Sequence, residues 1–196
     1  RWRASIPESY TNRVSPRQTA SIAYQVRRLN LLREPTNANK FLSQPNSLRF
    51  LTPSEEAHLR GEIAHAYFIY GLDDKAIITA RQAISKSPQT AYMGYWAAGL
   101  ALYRSYQYDL AGIYFRALAD TEDAPDQLRS SAAFWAYRLS LRENAPKKAI
   151  KFLNIAKNSP HYFYGMMALQ ISGQNISIDF RRPEVKDDFV SWLSET

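Results

Sequence analysis

The chain is predicted to be all-α, with helices of moderate length joined by short loops. Its 196 residues include only seven glycines, and no stretch alternates β-branched and polar residues with the period of a strand. Ala, Leu, Arg and Gln recur instead at the spacing of a helix face. With 45% apolar and 22% charged residues, the composition is that of an ordinary globular protein. We therefore expect several helices that bury their apolar faces against one another.

Two of the expected helix starts carry a capping box. Ser15-Pro16-Arg17-Gln18 and Thr52-Pro53-Ser54-Glu55 each place a hydroxyl three residues before a Gln or Glu, so that both side chains can bind free backbone N–H groups. Gly71 and Gly173 are placed to end helices in the left-handed conformation. Further helix starts are expected near Asp73, Pro88, Gln107, Pro125, Asn144 and Ser159-Pro160.

The first 51 residues form a separate, basic helical segment in this prediction. Residues 1–50 carry nine of the 25 Lys and Arg side chains but only two acidic ones, which leaves 16 of each sign in the remaining 146 residues. This division indicates one anionic partner surface near the N-terminus, which is nucleic acid, anionic lipid, an acidic protein or an acidic cell-wall polymer; a solvated basic helix face is the more ordinary interpretation. Residues 34–51 are rich in turn formers, so we expect a bent or partly irregular connection there.

The helices after residue 52 repeat. Ala76 is followed by a small residue at Ala83 and by a proline at Pro88, and it is preceded by Ala64 and Tyr67. Small residues are needed where two antiparallel helices cross closely, an aromatic ring fills the gap, and a proline opens the next pair. This spacing resembles the tetratricopeptide repeat.

Two further copies of the pattern follow. The second is expected 34 residues on, with Leu110 and Ala117 in the equivalent positions, and the third comes 39 residues later at Ala149 and Ala156. Repeated helix pairs of this kind stack into an extended array. The sequence therefore predicts an α-solenoid of antiparallel helix pairs over residues 52–174.

Two segments of the C-terminal half go beyond this generic spacing. They are Ser131-Ala132-Ala133-Phe134-Trp135-Ala136-Tyr137-Arg138 followed by Lys148-Ala149-Ile150, and His161-Tyr162-Phe163-Tyr164-Gly165-Met166-Met167-Ala168-Leu169 with Gly173. They resemble the superhelical region of soluble lytic transglycosylases, in which an Ala-rich helix with Phe-Trp and Arg precedes an amphipathic helix and a Phe-Tyr-Gly-Leu-x-Ala helix. Met166 stands where that family has Leu. The specific resemblance covers residues 128–174.

The resemblance implies a non-catalytic scaffold of an enzyme that cleaves peptidoglycan. In the family, a lysozyme-like module carries a catalytic Glu-Ser pair and a Gly-Leu-Met-Gln segment; here Glu8-Ser9 lies in a different context and Gly-Leu-Met-Gln does not occur. Residues 175–196 look like the start of a linker toward such a module. The implied partners are peptidoglycan and the catalytic module, in the periplasm of a Gram-negative bacterium after removal of a signal peptide.

Candidate substrate contacts are Tyr and Arg side chains on the concave face of the solenoid. Aromatic rings can stack on sugars, and guanidinium groups can pair with the carboxylates of peptide stems. For each single residue, a place in the core or on an exposed helix face is the more ordinary interpretation. The predicted contacts are Arg81, Arg104, Arg116, Arg138, Tyr106 and Tyr164.

Several other classes of site are excluded or disfavoured by the sequence. The chain has no cysteine, so it has no disulfide and no thiolate metal site. His58, His65 and His161 lack partners at the spacing of a metal site, and no Gly-rich phosphate loop occurs. We therefore predict no metal, no cofactor and no catalytic residue. The longest uncharged apolar run, residues 91–103, is shorter than a membrane span.

Two alternative functions are compatible with the same pattern. One is a tetratricopeptide-like adaptor, without an attached enzyme, that holds a peptide or a partner helix in its groove. The other is an RNA-binding helical repeat that uses the basic segment. The balanced charge of the rest of the chain makes nucleic acid the weakest of these hypotheses.

Overall fold

The protein is all-α, as predicted. The structure, a computed structural model, describes residues 16–174, and within this range it contains ten helices and no strand. No helix in the described range is long and apolar enough to cross a bilayer. The helices are α1 Pro16–Leu31, α2 Pro35–Leu42, α3 Pro45–Leu48, α4 Pro53–Ile69, α5 Asp73–Lys86, α6 Tyr92–Arg104, α7 Tyr108–Asp120, α8 Asp126–Arg142, α9 Pro146–Lys157 and α10 Phe163–Ile171.

Most of the predicted helix starts are confirmed. In the capping box of α4, the Thr52 hydroxyl accepts from the N–H of Glu55 at 3.2 Å, and the Glu55 carboxylate accepts from the N–H of Thr52 at 2.8 Å. Helix α5 begins at Asp73, and Gln107 is the N-cap of α7. Ser15, the first residue of the other predicted capping box, lies outside the described residues.

Two predicted starts are wrong by three or four residues. Helix α6 begins at Tyr92 and not near Pro88, because a turn comes first in which the N–H of Thr90 donates to the Ser87 carbonyl at 3.2 Å. A similar turn delays α10, since the N–H of Tyr162 donates to the Ser159 carbonyl at 3.2 Å. In both cases the proline belongs to the turn that precedes the helix.

The expected irregular connection over residues 34–51 is also corrected, because much of this segment is helical. It forms the short helices α2 and α3, and each has a proline as its first residue, Pro35 and Pro45. Proline is favourable at that position, where the missing N–H would have no partner within the helix. The turn-forming prolines of this segment therefore begin helices and do not interrupt them.

Each pair of helices is joined by the same type of turn. The pairs are α1–α2, α4–α5, α6–α7 and α8–α9, and α10 has the place of a further first helix. The residue after the left-handed position donates its N–H five residues back, as Gln107 does to Leu102 at 2.9 Å. This is the Schellman arrangement that ends a helix. The left-handed residues are Arg33, Gly71, Tyr106, Asn144 and Gly173, so the prediction for the two glycines is confirmed.

These turns correct the register of the repeat. The left-handed residues Gly71 and Tyr106 lie 35 residues apart, and Asn144 follows 38 residues later. The second copy is therefore aligned on Ala111, which is fully buried, whereas the predicted Leu110 is 39% exposed. With the same shift of one residue, the position equivalent to Ala83 is the fully buried Leu118 and not Ala117, which is only partly buried.

One hydrophobic core runs through all the helix pairs, from Ile22 in α1 to Ala168 in α10. The α1–α2 pair belongs to this array, since its fully buried Ala38 precedes Ala76 by the same 38 residues that separate Arg33 from Gly71. The segments before and after residue 51 thus differ in net charge, but their helices pack into the same core. The described part of the chain is solenoid-like from its first helix onward.

Candidate functional site

A groove follows the first helices of successive pairs. Its wider part has a volume of about 850 Å³ and its narrower part about 400 Å³, and Arg27 lines both. The wider part lies between α1, the beginnings of α4 and α6, and the loop before α8. Its polar lining residues are Thr19, Arg27, Ser54, Glu55, His58, Thr90, Tyr92 and Asp123.

A charged cluster of Arg27, Glu62 and His58 forms one wall of the groove. Arg27 donates to both carboxylate oxygens of Glu62, at 2.8 and 3.0 Å, and Nε2 of His58 lies 3.1 Å from the same carboxylate. Burial alone would raise the pKa of Glu62, but the hydrogen bonds from His58 and Arg27 outweigh it and hold that pKa below its ordinary value. Glu62 is therefore charged at neutral pH and fixes α1 to α4.

Two other side chains of the groove remain neutral. Burial, with a smaller contribution from Asp123, raises the pKa of Tyr92, so its phenol keeps its proton as a donor. Burial also lowers the pKa of His65, whose ring stacks on Phe68 with 6.3 Å between centroids. The groove thus presents hydroxyl groups, a phenol and carboxylates, which are groups suited to hydrogen bonding with a sugar or an extended peptide.

Three of the predicted contact residues connect neighbouring helices. Arg81 donates to the phenol oxygen of Tyr114 at 3.2 Å, and Arg116 donates to Glu143 at 2.9 Å. Arg104 donates to the Asp73 carboxylate from Nε at 2.8 Å, to the Phe68 carbonyl at 2.6 Å, and lies over the Phe68 ring. These contacts explain the three arginines as parts of the packing.

The other three predicted residues lie in separate surroundings. Arg138 lies over the Trp135 ring at 4.9 Å, and Tyr164 packs against Phe134 with ring centroids 5.2 Å apart. Tyr106 is 79% exposed at the turn between α6 and α7. None of the six predicted contacts lines the groove, so the structure does not gather them there, and their role as substrate contacts stays a prediction.

The groove residues Arg27, Glu62 and Tyr92 were missed by the sequence reasoning. Arg27 and Glu62 lie 35 residues apart on different helices, and no local pattern marks such a pair. The local signal is the spacing of His58 and Glu62, which are four residues apart and therefore neighbours on one helix face. This contact corrects the expectation that His58 has no partner at such a spacing.

Two arginines of the basic N-terminal segment have partners within the described residues, and one of those partners is a carboxylate. Arg27 is bound to Glu62, and Arg49 lies 4.4 Å from the centroid of the Phe50 ring. Arg1, Arg3 and Arg13 lie outside the described residues. The anionic partner at this segment stays a prediction.

The segments on which the expected resemblance rests lie on three consecutive helices, α8, α9 and α10. Phe134 is 4% exposed and belongs to the core. Gly165 is required by the packing, because a Cβ there would collide with the carbonyl oxygen of Ser159. Comparisons of the chain with protein-family models, with curated proteins and with solved structures find no match.

Proposed function

We propose that the chain is the non-catalytic helical scaffold of a periplasmic soluble lytic transglycosylase, an enzyme that cleaves peptidoglycan glycan strands. In this role it contacts peptidoglycan and positions the catalytic module. The observation that carries the proposal is the arrangement of the resembling segments on α8, α9 and α10. They form one packed unit that continues the core of the preceding helix pairs.

The form of the array supports a positioning role. The aromatic rings of Tyr103 and Phe115 pack on Trp135 with centroids 4.6 and 5.9 Å apart, and they join the α6–α7 pair to the α8–α9 pair. A continuous core gives the array the stiffness that a scaffold needs. The groove supports the contact role, since its hydroxyl groups and the Tyr92 ring match the polar edges and apolar faces of sugars.

The test is sedimentation of the purified chain with isolated peptidoglycan sacculi, combined with chromatography of any released muropeptides. We expect the chain to sediment with the sacculi and to release no muropeptides. Release of muropeptides would contradict the non-catalytic role, and failure to sediment would contradict peptidoglycan contact.

Two variants locate the contact. Tyr92→Ala removes the aromatic ring of the groove, and we expect binding to sacculi to weaken about three- to tenfold, as for the loss of one aromatic contact. Tyr24→Ala is the matched control, because Tyr24 is a 68% exposed ring on α1 that does not line the groove. Equal binding by the two variants would remove the groove from the proposal.

The alternative is an adaptor without an enzyme, and the open groove of about 850 Å³ is the observation that favours it. Grooves lined by the first helices of such pairs can hold an extended peptide or a helix. Selection from a displayed peptide library tests this alternative. Specific peptides whose binding is lost in Tyr92→Ala, together with no binding to sacculi, would favour the adaptor over the scaffold.

A further inference from the structure

Two neighbouring turns of the array each form a small open pocket at the surface, which we call a cup. The first lies at the α4–α5 turn around Gly71, Asp73 and Ser105, with a volume of about 420 Å³. The second lies at the α6–α7 turn around Tyr106 and Tyr108, with a volume of about 340 Å³. Since Gly71 and Tyr106 are the left-handed residues of their turns, the two cups are one structure repeated along the array.

Each turn has an arginine from the following first helix: Arg142 lines the second cup, and Arg104 binds Asp73, which lines the first. Arg104 and Arg142 both lie two residues before a left-handed residue, Tyr106 or Asn144. In the first cup, Nε of Arg104 donates to both oxygens of the Asp73 carboxylate at 2.8 and 3.1 Å, and a terminal nitrogen adds a further contact. The first cup shows that an arginine at this position binds a carboxylate placed at the start of the second helix.

The second cup has the arginine without that carboxylate. Tyr108 occupies the position of Asp73, two residues after the left-handed residue. The guanidinium of Arg142 lies 4.1 Å from the centroid of the Tyr108 ring, and among residues 16–174 no carboxylate lies within salt-bridge distance of it. The Tyr108 ring leaves the edge of the guanidinium, which carries the donors, available to a ligand.

The remaining groups of the second cup match the end of a peptide. Tyr106 is 79% exposed and meets Tyr108 edge to face at 6.1 Å between centroids, so it offers an exposed apolar surface. Asp109 also lines the cup and offers an acceptor for an amide N–H. Arg142 thus provides donors for a terminal carboxylate, Asp109 provides an acceptor for an N–H group, and the Tyr106 ring provides a surface for a small side chain.

We propose that the cup of Tyr106, Tyr108, Asp109 and Arg142 binds the terminal carboxylate of a short peptide, which takes the place that Asp73 has in the preceding turn. This site is distinct from the groove between α1 and α4. Binding of a peptide carboxylate by this cup does not depend on the proposed contact with peptidoglycan. That contact would decide only whether the peptide is a stem peptide of the cell wall.

The test is titration of the full chain with acetyl-alanyl-alanine and with the corresponding amide, followed by NMR or calorimetry. We expect the free acid to bind about tenfold more tightly than the amide, because only the acid forms a charge-assisted pair with Arg142. Arg142→Gln should abolish this difference. Equal binding of acid and amide to the unmodified chain, or an unchanged preference in Arg142→Gln, would overturn the proposal.

The variant Tyr108→Asp tests the same idea without removing the arginine. It installs the carboxylate of the first cup in the second, so Arg142 gains an internal partner and we expect peptide binding to fall by about tenfold or more. Unchanged binding in a folded Tyr108→Asp protein, checked by circular dichroism, would contradict the proposal. A matched control is Arg28→Gln, which changes an exposed arginine on α1 that does not line the cup and should leave binding unaltered.

A second series separates the sources of the peptide. Acetyl-D-alanyl-D-alanine and its L,L counterpart have the same carboxylate but differ in the chirality that distinguishes cell-wall stems from protein chains. Tighter binding of either free acid than of its amide supports the cup. A preference for the D,D form additionally supports the peptidoglycan role, whereas a preference for the L,L form supports the cup and counts against that role.

Discussion

Tyr106 and Arg33 have φ angles of 61° and 64°, although both carry large side chains. The left-handed conformation costs a residue with a Cβ roughly 1–2 kcal/mol, and glycine avoids this cost. The equivalent turns use Gly71 and Gly173, with φ of 77° and 70°. Tyr106 and Arg33 therefore hold their turns against a local strain that glycine at the same positions would avoid.

Tyr106→Gly and Arg33→Gly are each expected to stabilise the protein by up to about 1 kcal/mol. The gain is reduced by the greater chain entropy of glycine in the unfolded state. Chemical denaturation monitored by circular dichroism measures the change. A lower stability of Arg33→Gly would show that the strain at this turn is already relieved by contacts of the side chain.

The Arg27–Glu62–His58 cluster predicts a pH-dependent contribution to stability. The pKa of Glu62 is lowered in the folded protein, so its stabilising effect is complete above the ordinary carboxyl pKa and is lost as the pH falls through the lower folded value. Because Arg27 is 54% exposed, the effect is modest, about 0.5–1 kcal/mol.

Glu62→Gln should therefore destabilise the protein by about that amount at pH 7 and much less near pH 3. Denaturation midpoints of the two proteins at both pH values provide the measurement. A destabilisation of equal size at both pH values would mean that Glu62 acts through packing and not through its charge.

At the scale of the helices, glycines decide how closely neighbours approach. A Cβ on Gly61 in α4 would lie 2.8 Å from the backbone nitrogen of Gly94 in α6, and a backbone atom cannot move aside cheaply. A Cβ on Gly112 in α7 would lie 2.8 Å from the end of the Arg116 side chain, which can rotate away. The two glycines therefore have different structural roles despite their similar contact distances.

Gly61→Ala is expected to destabilise the protein by about 1–3 kcal/mol, since overpacking at the α4–α6 crossing outweighs the gain in helix propensity. Gly112→Ala is the matched control and should be neutral or stabilising by up to about 1 kcal/mol. Thermal unfolding of both variants distinguishes them. Equal stabilities would indicate that the α4–α6 crossing can widen without cost.

The elements that could be predicted from the sequence are those with a local chemical signal. Thr52 and Glu55 mark the start of α4, and Gly71 marks the end, because capping and left-handed turns depend on adjacent residues. The register of the second repeat could not be read from spacing, since Leu110 and Ala117 form a pattern as plausible as Ala111 and Leu118. Only packing against the neighbouring helices distinguishes the two registers.

The groove was beyond sequence reasoning for a similar reason. Arg27 and Glu62 meet only after two helix pairs have stacked. The predicted contacts Arg81 and Arg116 were chosen for side-chain chemistry, and the structure uses both in contacts between neighbouring elements. Side-chain type thus indicated which residues form specific contacts but not which of them face a ligand.

At the scale of the whole molecule, a cluster of aromatic rings, the aromatic joint, connects the α6–α7 pair to the α8–α9 pair. Phe115 is fully buried, contacts Trp96 at 5.6 Å and Trp135 at 5.9 Å between centroids, and fills the space above Gly99. In a stacked array each pair is stabilised by its neighbours, so cooperative unfolding depends on such joints. The joint therefore couples the groove half of the molecule to the half that contains α8, α9 and α10.

Phe115→Ala should cost about 3–5 kcal/mol and uncouple the two halves, because it opens a cavity at the joint. Phe152→Ala, in α9 and only 2% exposed in the native protein, should have a similar cost without affecting that joint. Hydrogen exchange by mass spectrometry tests the difference: in Phe115→Ala we expect faster exchange in both α6 and α8, whereas in Phe152→Ala protection of α4 and α5 should persist. If the two variants lose protection uniformly along residues 16–174, the array unfolds as one unit and Phe115 has no special coupling role.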